Sequence, residues 1–196
     1  MVRIILAGEF RGNEASWYSL IRMFSPLQQH VAIYVGSLMP WKEFMVPHKF
    51  VTTTIDSESI FNQSAHCHRD RYISQWSALY QTYHAFQHEF AETDLVVKAR
   101  NDVNIFDLFT QNVEHNTIYV PEKEFHEKLP FNTETVCNDQ IVIGTKNTMD
   151  VYFKLSRQYD WNNIYDISIE EVLRNYLRQQ NIKLKTFPLF YEKNYE

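Results

Sequence analysis

Met1-Val-Arg-Ile-Ile-Leu-Ala-Gly8-Glu-Phe-Arg-Gly12 opens the chain, and the reading of this stretch sets the fold. Arg3–Ala7 is an apolar run that ends at Gly8. Both faces of such a strand are expected to be buried, as in the middle of a parallel sheet. Asn13 to Phe24 follows, with Trp17, Leu20, Ile21 and Phe24 at helical spacing and Asn13 placed to cap the helix. The order is therefore strand, turn, helix, with Gly8–Gly12 as the turn.

The alternation continues outward. His30–Val35 reads as a second strand, before Gly36, and Phe50–Ile55, rich in β-branched residues, as a third. Leu38–His48 carries Pro40, Trp41 and Pro47 and reads as a loop between them. Tyr72 to Phe90 predicts a long helix, with Trp76, Leu79, Tyr80, Tyr83, Phe86 and Phe90 at three- and four-residue steps. An aromatic stripe of this kind is core material. Asp94–Ala99 is a fourth strand and runs into Arg100-Asn-Asp-Val-Asn104. Further on, the pattern predicts a short helix over Phe106–Gln111 and a strand over Thr117–Val120. Glu122–Thr135 reads as a surface loop, Asp139–Gly144 contains a short strand, and Thr148–Tyr159 reads as a helix. Ser168-Ile-Glu-Glu171 is a capping box opening another helix, and a last strand, Ile182–Phe187, precedes a polar tail.

Strands and helices in alternation predict an α/β architecture with a mostly parallel central sheet. The 196 residues suit one domain, 1–196, or one domain of a longer enzyme. In such sheets ligands gather outside the carboxyl ends of the strands. Two polar clusters sit at those ends, Gly8–Gly12 and Arg100–Asn104.

Composition narrows the function. A net charge of −5 without a long basic run argues against nucleic-acid coating. No apolar run approaches a membrane span, and the N-terminal run is too short for a secretory leader, so a cytoplasmic protein is expected. Cys67 and Cys137 form no CxxC pair and read as reduced buried thiols. His66-Cys-His68-Arg69-Asp70-Arg71 lacks a second ligand pair for a soft metal. It reads as a solvated loop, with a phosphate contact by its basic residues as the competing possibility.

The two strand-end clusters carry the chemistry. Asp102 and Asn104 stand two apart, so an extended segment aims both to one side, and both offer hard oxygen donors suited to Mg²⁺ or Mn²⁺. Asx residues after a strand are also turn formers, and the two readings stay open here. Arg11, just before a helix start, suits a diphosphate, because a helix N-terminus and a guanidinium both favour phosphate oxygens. The turn is neither a GxGxxG fingerprint nor a Walker motif.

A resemblance joins these features. The turn Gly8-Glu9-Phe10-Arg11 is followed by the helix segment Ser74-Gln-Trp-Ser-Ala-Leu-Tyr80 and the strand Thr93-Asp-Leu-Val-Val-Lys-Ala-Arg-Asn-Asp102. Then come Asn138-Asp-Gln-Ile-Val-Ile-Gly144, the helix segment Met149 to Tyr152, and Ile169-Glu-Glu-Val-Leu173. In that order they resemble a family of bacterial and viral glycosyltransferases related to the WavE-type lipopolysaccharide and capsule synthesis proteins. Glu9 stands where that family has Gln, and Lys98 where it has Arg.

The resemblance implies a GT-A-like fold, that of nucleotide-diphospho-sugar transferases. It also implies metal-dependent transfer of a sugar, from a UDP-sugar in preference, to a glycan or other hydroxyl acceptor in polysaccharide biosynthesis. Arg100–Asn104 then resembles the Asp-x-Asp motif, with Asp102 and Asn104 holding Mn²⁺ or Mg²⁺. Gly8, Glu9, Arg11, Gln75 and Arg100 would bind the nucleotide sugar, and Asp139 would be the catalytic base. Asn138 and Asp139 also suit a simple turn, and Glu170 and Glu171 are rival carboxylates. The competing functions are a non-catalytic glycan- or nucleotide-binding module and a nucleotidyltransferase.

Overall fold

Strand β1, Val2–Ala7, is central because nearly every side chain along it is buried, as the opening sequence requires. A computed structural model describes residues 1–7, 14–37, 49–54, 68–100, 102–122, 139–158 and 169–193. Beside β1 lie β2, Val31–Ser37, and β4, Leu95–Ala99, both parallel to it. Strand β3, Lys49–Thr54, extends the parallel set beyond β2.

The second half of the sheet is mixed. Beyond β4 comes β7, Ile141–Thr145, antiparallel to it. Then come β6, Thr117–Pro121, and β8, Lys183–Phe187, which are parallel to each other, with β6 antiparallel to β7. The order is β3-β2-β1-β4-β7-β6-β8, so β7 alone is reversed among the seven.

Helices cover both faces. Helix α1, Glu14–Met23, packs Trp17, Leu20 and Met23 against Val2, Ile4 and Leu6 on one side. Helices α2, His68–Phe86, α3, Lys146–Phe153, α4, Leu155–Gln158, and α5, Ile169–Gln179, build the other core around Trp76, Tyr83, Tyr152 and Tyr176. The expected aromatic stripe is therefore core, with Tyr83 stacked on Phe153 at 4.4 Å between centroids. A 3-10 turn, Gln87–Glu89, ends α2 earlier than expected and turns Phe90 onto Tyr34.

Two sequence expectations fail. His68–Arg71, read as part of a solvated loop, instead forms the first turn of α2, because the helix begins four residues before the aromatic stripe that announces it. Phe106–Gln111 is not helical. The chain instead forms β5, Val103–Ile105, paired antiparallel with β9, Tyr191–Lys193, in a separate two-stranded sheet. Phe109 leaves this segment to fill the core between Phe24 and Phe187. Local spacing carries no information about that long-range partner, and neither β5 nor β9 was expected. The anticipated loops at 38–48 and 123–135, together with Gly8–Gly12, Ser168 and both cysteines, lie outside the described residues.

Candidate functional site

The reversal of β7 decides what meets what. The parallel strands β1 and β4 end at Ala7 and Ala99, whereas β7 begins at that same edge, Ala99 pairing with Ile141. Residues just before β7 are thereby delivered beside residues just after β4. The Arg100 N–H continues the ladder by donating to the Gln140 carbonyl at 3.1 Å. Asp139 and Arg100, 39 positions apart in the chain, thus become neighbours where open α/β sheets bind ligands.

Arg100 grips Asp102 with two parallel hydrogen bonds, Nε to Oδ1 at 2.7 Å and Nη2 to Oδ2 at 2.6 Å. Asp102 is 7% exposed, while about a third of the Arg100 side chain, 32%, faces solvent. The guanidinium is held above its ordinary value, first by the Asp102 hydrogen bonds, against the cost of burial. The charges of Asp102 and Asp139 and the Tyr191 phenol add to this. Fork-to-fork pairing of this kind is also how guanidinium recognises phosphate.

Behind this pair lies Lys98, whose Nζ donates to the Asp139 carbonyl oxygen and stands 3.4 Å from its Oδ2. Gln140 Nε2 donates to Asp139 Oδ1 at 3.1 Å. A lysine buried in an apolar strand is uncommon unless paired. The stretch Leu95-Val-Val-Lys-Ala99 therefore already signalled an acidic partner, though not which one.

Asn104 takes a different partner. Its Oδ1 accepts from the Ser16 hydroxyl of α1 at 3.1 Å. The Ser19 hydroxyl accepts the Ile105 N–H at 2.9 Å, and Arg22 Nη2 donates to the carbonyls of Ile105 and Phe106, both at 3.0 Å. One edge of β5 pairs with β9 and the other is completed by side chains of α1 standing in for a strand. Ser16, Ser19 and Arg22 escaped sequence reading because their partners lie more than 80 residues away.

Arg100, Asp102 and Asp139 are thus brought together. Asn104 is anchored to α1, and Gln75 is exposed on α2. Gly8, Glu9 and Arg11 lie outside the described residues, although β1 ends beside β4 at this edge. Among the described residues no group of three or more His, Cys, Asp or Glu side chains is arranged to hold a metal ion. No helix among them is long and apolar enough to cross a membrane.

The sequence matches no protein-family profile and no curated protein. The backbone, by contrast, has counterparts of the same fold among solved structures. It matches an active-site mutant of LgtC with a TM-score of 0.52 at 10% identity, over 95% of this chain and 72% of LgtC. The galactosyltransferase LgtC in complex with donor and acceptor sugar analogs gives 0.52 at 10% identity, over 94% of this chain and 73% of that one. The fold is GT-A. A third match is the apo form of the glycosyltransferase GlyE from Streptococcus pneumoniae TIGR4. It gives 0.51 at 14% identity, over 94% of this chain but only 45% of GlyE. At these identities the likeness is one of fold alone, GT-A with its mixed sheet.

Proposed function

We propose that this chain is a glycosyltransferase domain that moves a sugar from a nucleoside-diphosphate sugar, a UDP-sugar in preference, to a hydroxyl of a glycan. The observation that carries the reading is the meeting of Arg100, Asp102 and Asp139 at the ligand edge of a GT-A sheet. The order of motifs supports a place near the WavE-type proteins, and the reading goes with work in the cytoplasm, of a host cell if the source is viral.

Each residue has a task. Arg100 binds the diphosphate, exchanging one doubly oxygenated anion, Asp102, for another. Gly8, Glu9 and Arg11, which follow β1 in the chain, would complete the donor site with Gln75. The acceptor oxygen bonds to the anomeric carbon as the bond from that carbon to the diphosphate breaks, and the acceptor proton passes to Asp139. Lys98 and Gln140 fix the direction of that carboxylate.

The donor set fits a hard cation in part. Mg²⁺ sites commonly use one or two carboxylates, with substrate phosphates and water for the rest. Asp102, once Arg100 turns to the diphosphate, would supply the carboxylate; the Asn104 amide oxygen would have to give up the Ser16 hydroxyl to join it. Mn²⁺ or Mg²⁺ held there would neutralise charge on the departing diphosphate.

A second reading has its own support. Both Asp102 oxygens already accept from Arg100, and Asp139 is matched by Lys98. A site whose charges are closed internally suits a non-catalytic binding module. Calorimetric titration of UDP- and GDP-sugars with and without Mn²⁺ separates the readings. Metal-dependent binding of a sugar nucleotide, with turnover reduced on the order of 10²-fold in Asp102→Asn, supports transfer. Absence of nucleotide binding supports the module, and preference for a nucleoside triphosphate supports a nucleotidyltransferase.

A further inference from the structure

Phe106 and Phe190 are large rings left in solvent, 47% and 58% exposed; among the described aromatic residues Tyr18 is comparably exposed, at 48%, and most others fill the core. Phe106 and Phe190 face each other with centroids 5.3 Å apart. Their backbone is fastened at four points. The Phe106 N–H donates to the Phe190 carbonyl at 3.0 Å, and the Phe190 N–H donates to Asp107 Oδ2 at 2.6 Å. Arg22 holds the Phe106 and Ile105 carbonyls from α1. These hydrogen bonds hold the backbone that carries both rings.

The pair also lies close along the chain to the candidate site. Phe106 follows β5 directly, and Asp102 precedes it by four residues, at most about 13 Å of extended chain. Phe190 precedes Tyr191, whose phenol acts on Arg100.

We propose that Phe106 and Phe190 form an acceptor subsite that stacks on the apolar face of a sugar ring, one or more units away from the reacting hydroxyl. The proposal rests on the transferase reading for what happens at Asp102 and deepens it: the acceptor is an oligosaccharide. Aromatic faces are negative and attract the weakly positive C–H bonds that a pyranose presents on one side. Size argues against a protein partner. At roughly 200 Å² per large apolar side chain, the exposed parts of both rings, with the 45% exposed Leu108, offer about 300 Å². A stable protein interface needs about 800 Å² per partner.

The test uses the full chain on an array of immobilised oligosaccharides of increasing length, with no donor present. Wild type is expected to bind glycans above a minimum length. Phe106→Ala and Phe190→Ala should each weaken that binding about 2- to 10-fold, the scale of one aromatic contact, and Phe190→Trp should retain it. In transfer assays the alanine variants should raise KM for long acceptors, leaving kcat and the donor KM unchanged. Glycan binding that neither alanine variant changes overturns the proposal, as does absence of glycan binding. So does loss, in these variants, of binding to phosphatidylcholine–phosphatidylglycerol vesicles or of self-association. Glycan binding without any sugar-nucleotide binding leaves the subsite standing and removes the transferase reading instead.

Discussion

Asp139→Asn is the most informative single change, because it removes both the ion pair with Lys98 and the base proposed for transfer. Lys98 and Asp139 side chains are 2% and 8% exposed, and their charged atoms stand 3.4 Å apart. At that separation the attraction is about 5 kcal/mol for an effective dielectric of about 20. Desolvation of both groups offsets most of it, so the intact pair is close to neutral for stability, whereas removing one partner costs about 3–5 kcal/mol. Asn keeps the shape and leaves the backbone carbonyl that Lys98 also uses, so about 3 kcal/mol is expected. Urea unfolding should show it as a midpoint lowered by about 1 M or more. The double variant Lys98→Met/Asp139→Asn removes the stranded ammonium and should return to within about 1 kcal/mol of wild type. If Asp139 is also the base, that restored protein remains inactive. A single Asp139→Asn variant within about 0.5 kcal/mol of wild type would refute the electrostatic argument. Full turnover by the stable double variant would refute the catalytic one.

Other expectations follow from the same contacts. Ser19→Ala leaves the Ile105 N–H without its acceptor and should cost about 1–3 kcal/mol; Ser19→Thr, which keeps the hydroxyl, should recover most of it in thermal melts. Asp94 is held below the usual carboxylate range: burial opposes this, but hydrogen bonds from Arg3, the Met1 amino group and the Ala91 N–H outweigh it. A depressed carboxyl contributes fully above its unfolded value of about 3.9 and loses that contribution as pH falls through the folded value. The stability gap between wild type and Asp94→Asn should thus be constant above about pH 5 and close below about pH 4, measured by urea titration at stepped pH. At Gly144 an added Cβ would lie 3.2 Å from Met149 Cγ and Sδ and 3.5 Å from the Thr117 carbonyl. Met149 is flexible enough to yield, so Gly144→Ala should lower stability by about 1 kcal/mol, with part regained on shortening Met149.

Much of the fold was legible because its signals are local. The apolar runs of β1 and β4, each interrupted by one cation, Arg3 or Lys98, require burial on both faces, and the spacing of Trp76, Leu79, Tyr83 and Phe86 requires a helix against the sheet. The strand expected within Asp139–Gly144 is β7, in which Gly144 stands where a larger side chain would meet Met149. The failure at Phe106–Gln111 has a physical cause. Apolar residues that suit a helical face were placed instead by β9 and by Arg22, both far away in sequence.

The candidate site divides along the same line. Asp102 could be found from sequence because strand end and carboxylate are adjacent in the chain. Its clasp by Arg100 spans only two residues and was within reach of the same reasoning. The position of Asp139 required the direction of β7, which no local pattern encodes. Had β7 run parallel to β4, the residues preceding it would lie at the opposite edge of the sheet, about 16 Å away for five residues of strand. One reversed strand therefore converts a turn-forming Asn-Asp pair into a carboxylate beside Arg100. The same reversal gives the ammonium of Lys98, pointing to that edge from within an apolar strand, its counter-charge. Lys98 makes the assignment testable from the other side. A buried lysine needs an acid wherever the chain can supply one, so Lys98→Met in the presence of Asp139 should also destabilise, by stranding the carboxylate. Equal tolerance of Lys98→Met and Asp139→Asn would mean that β7 does not bring the two together as described.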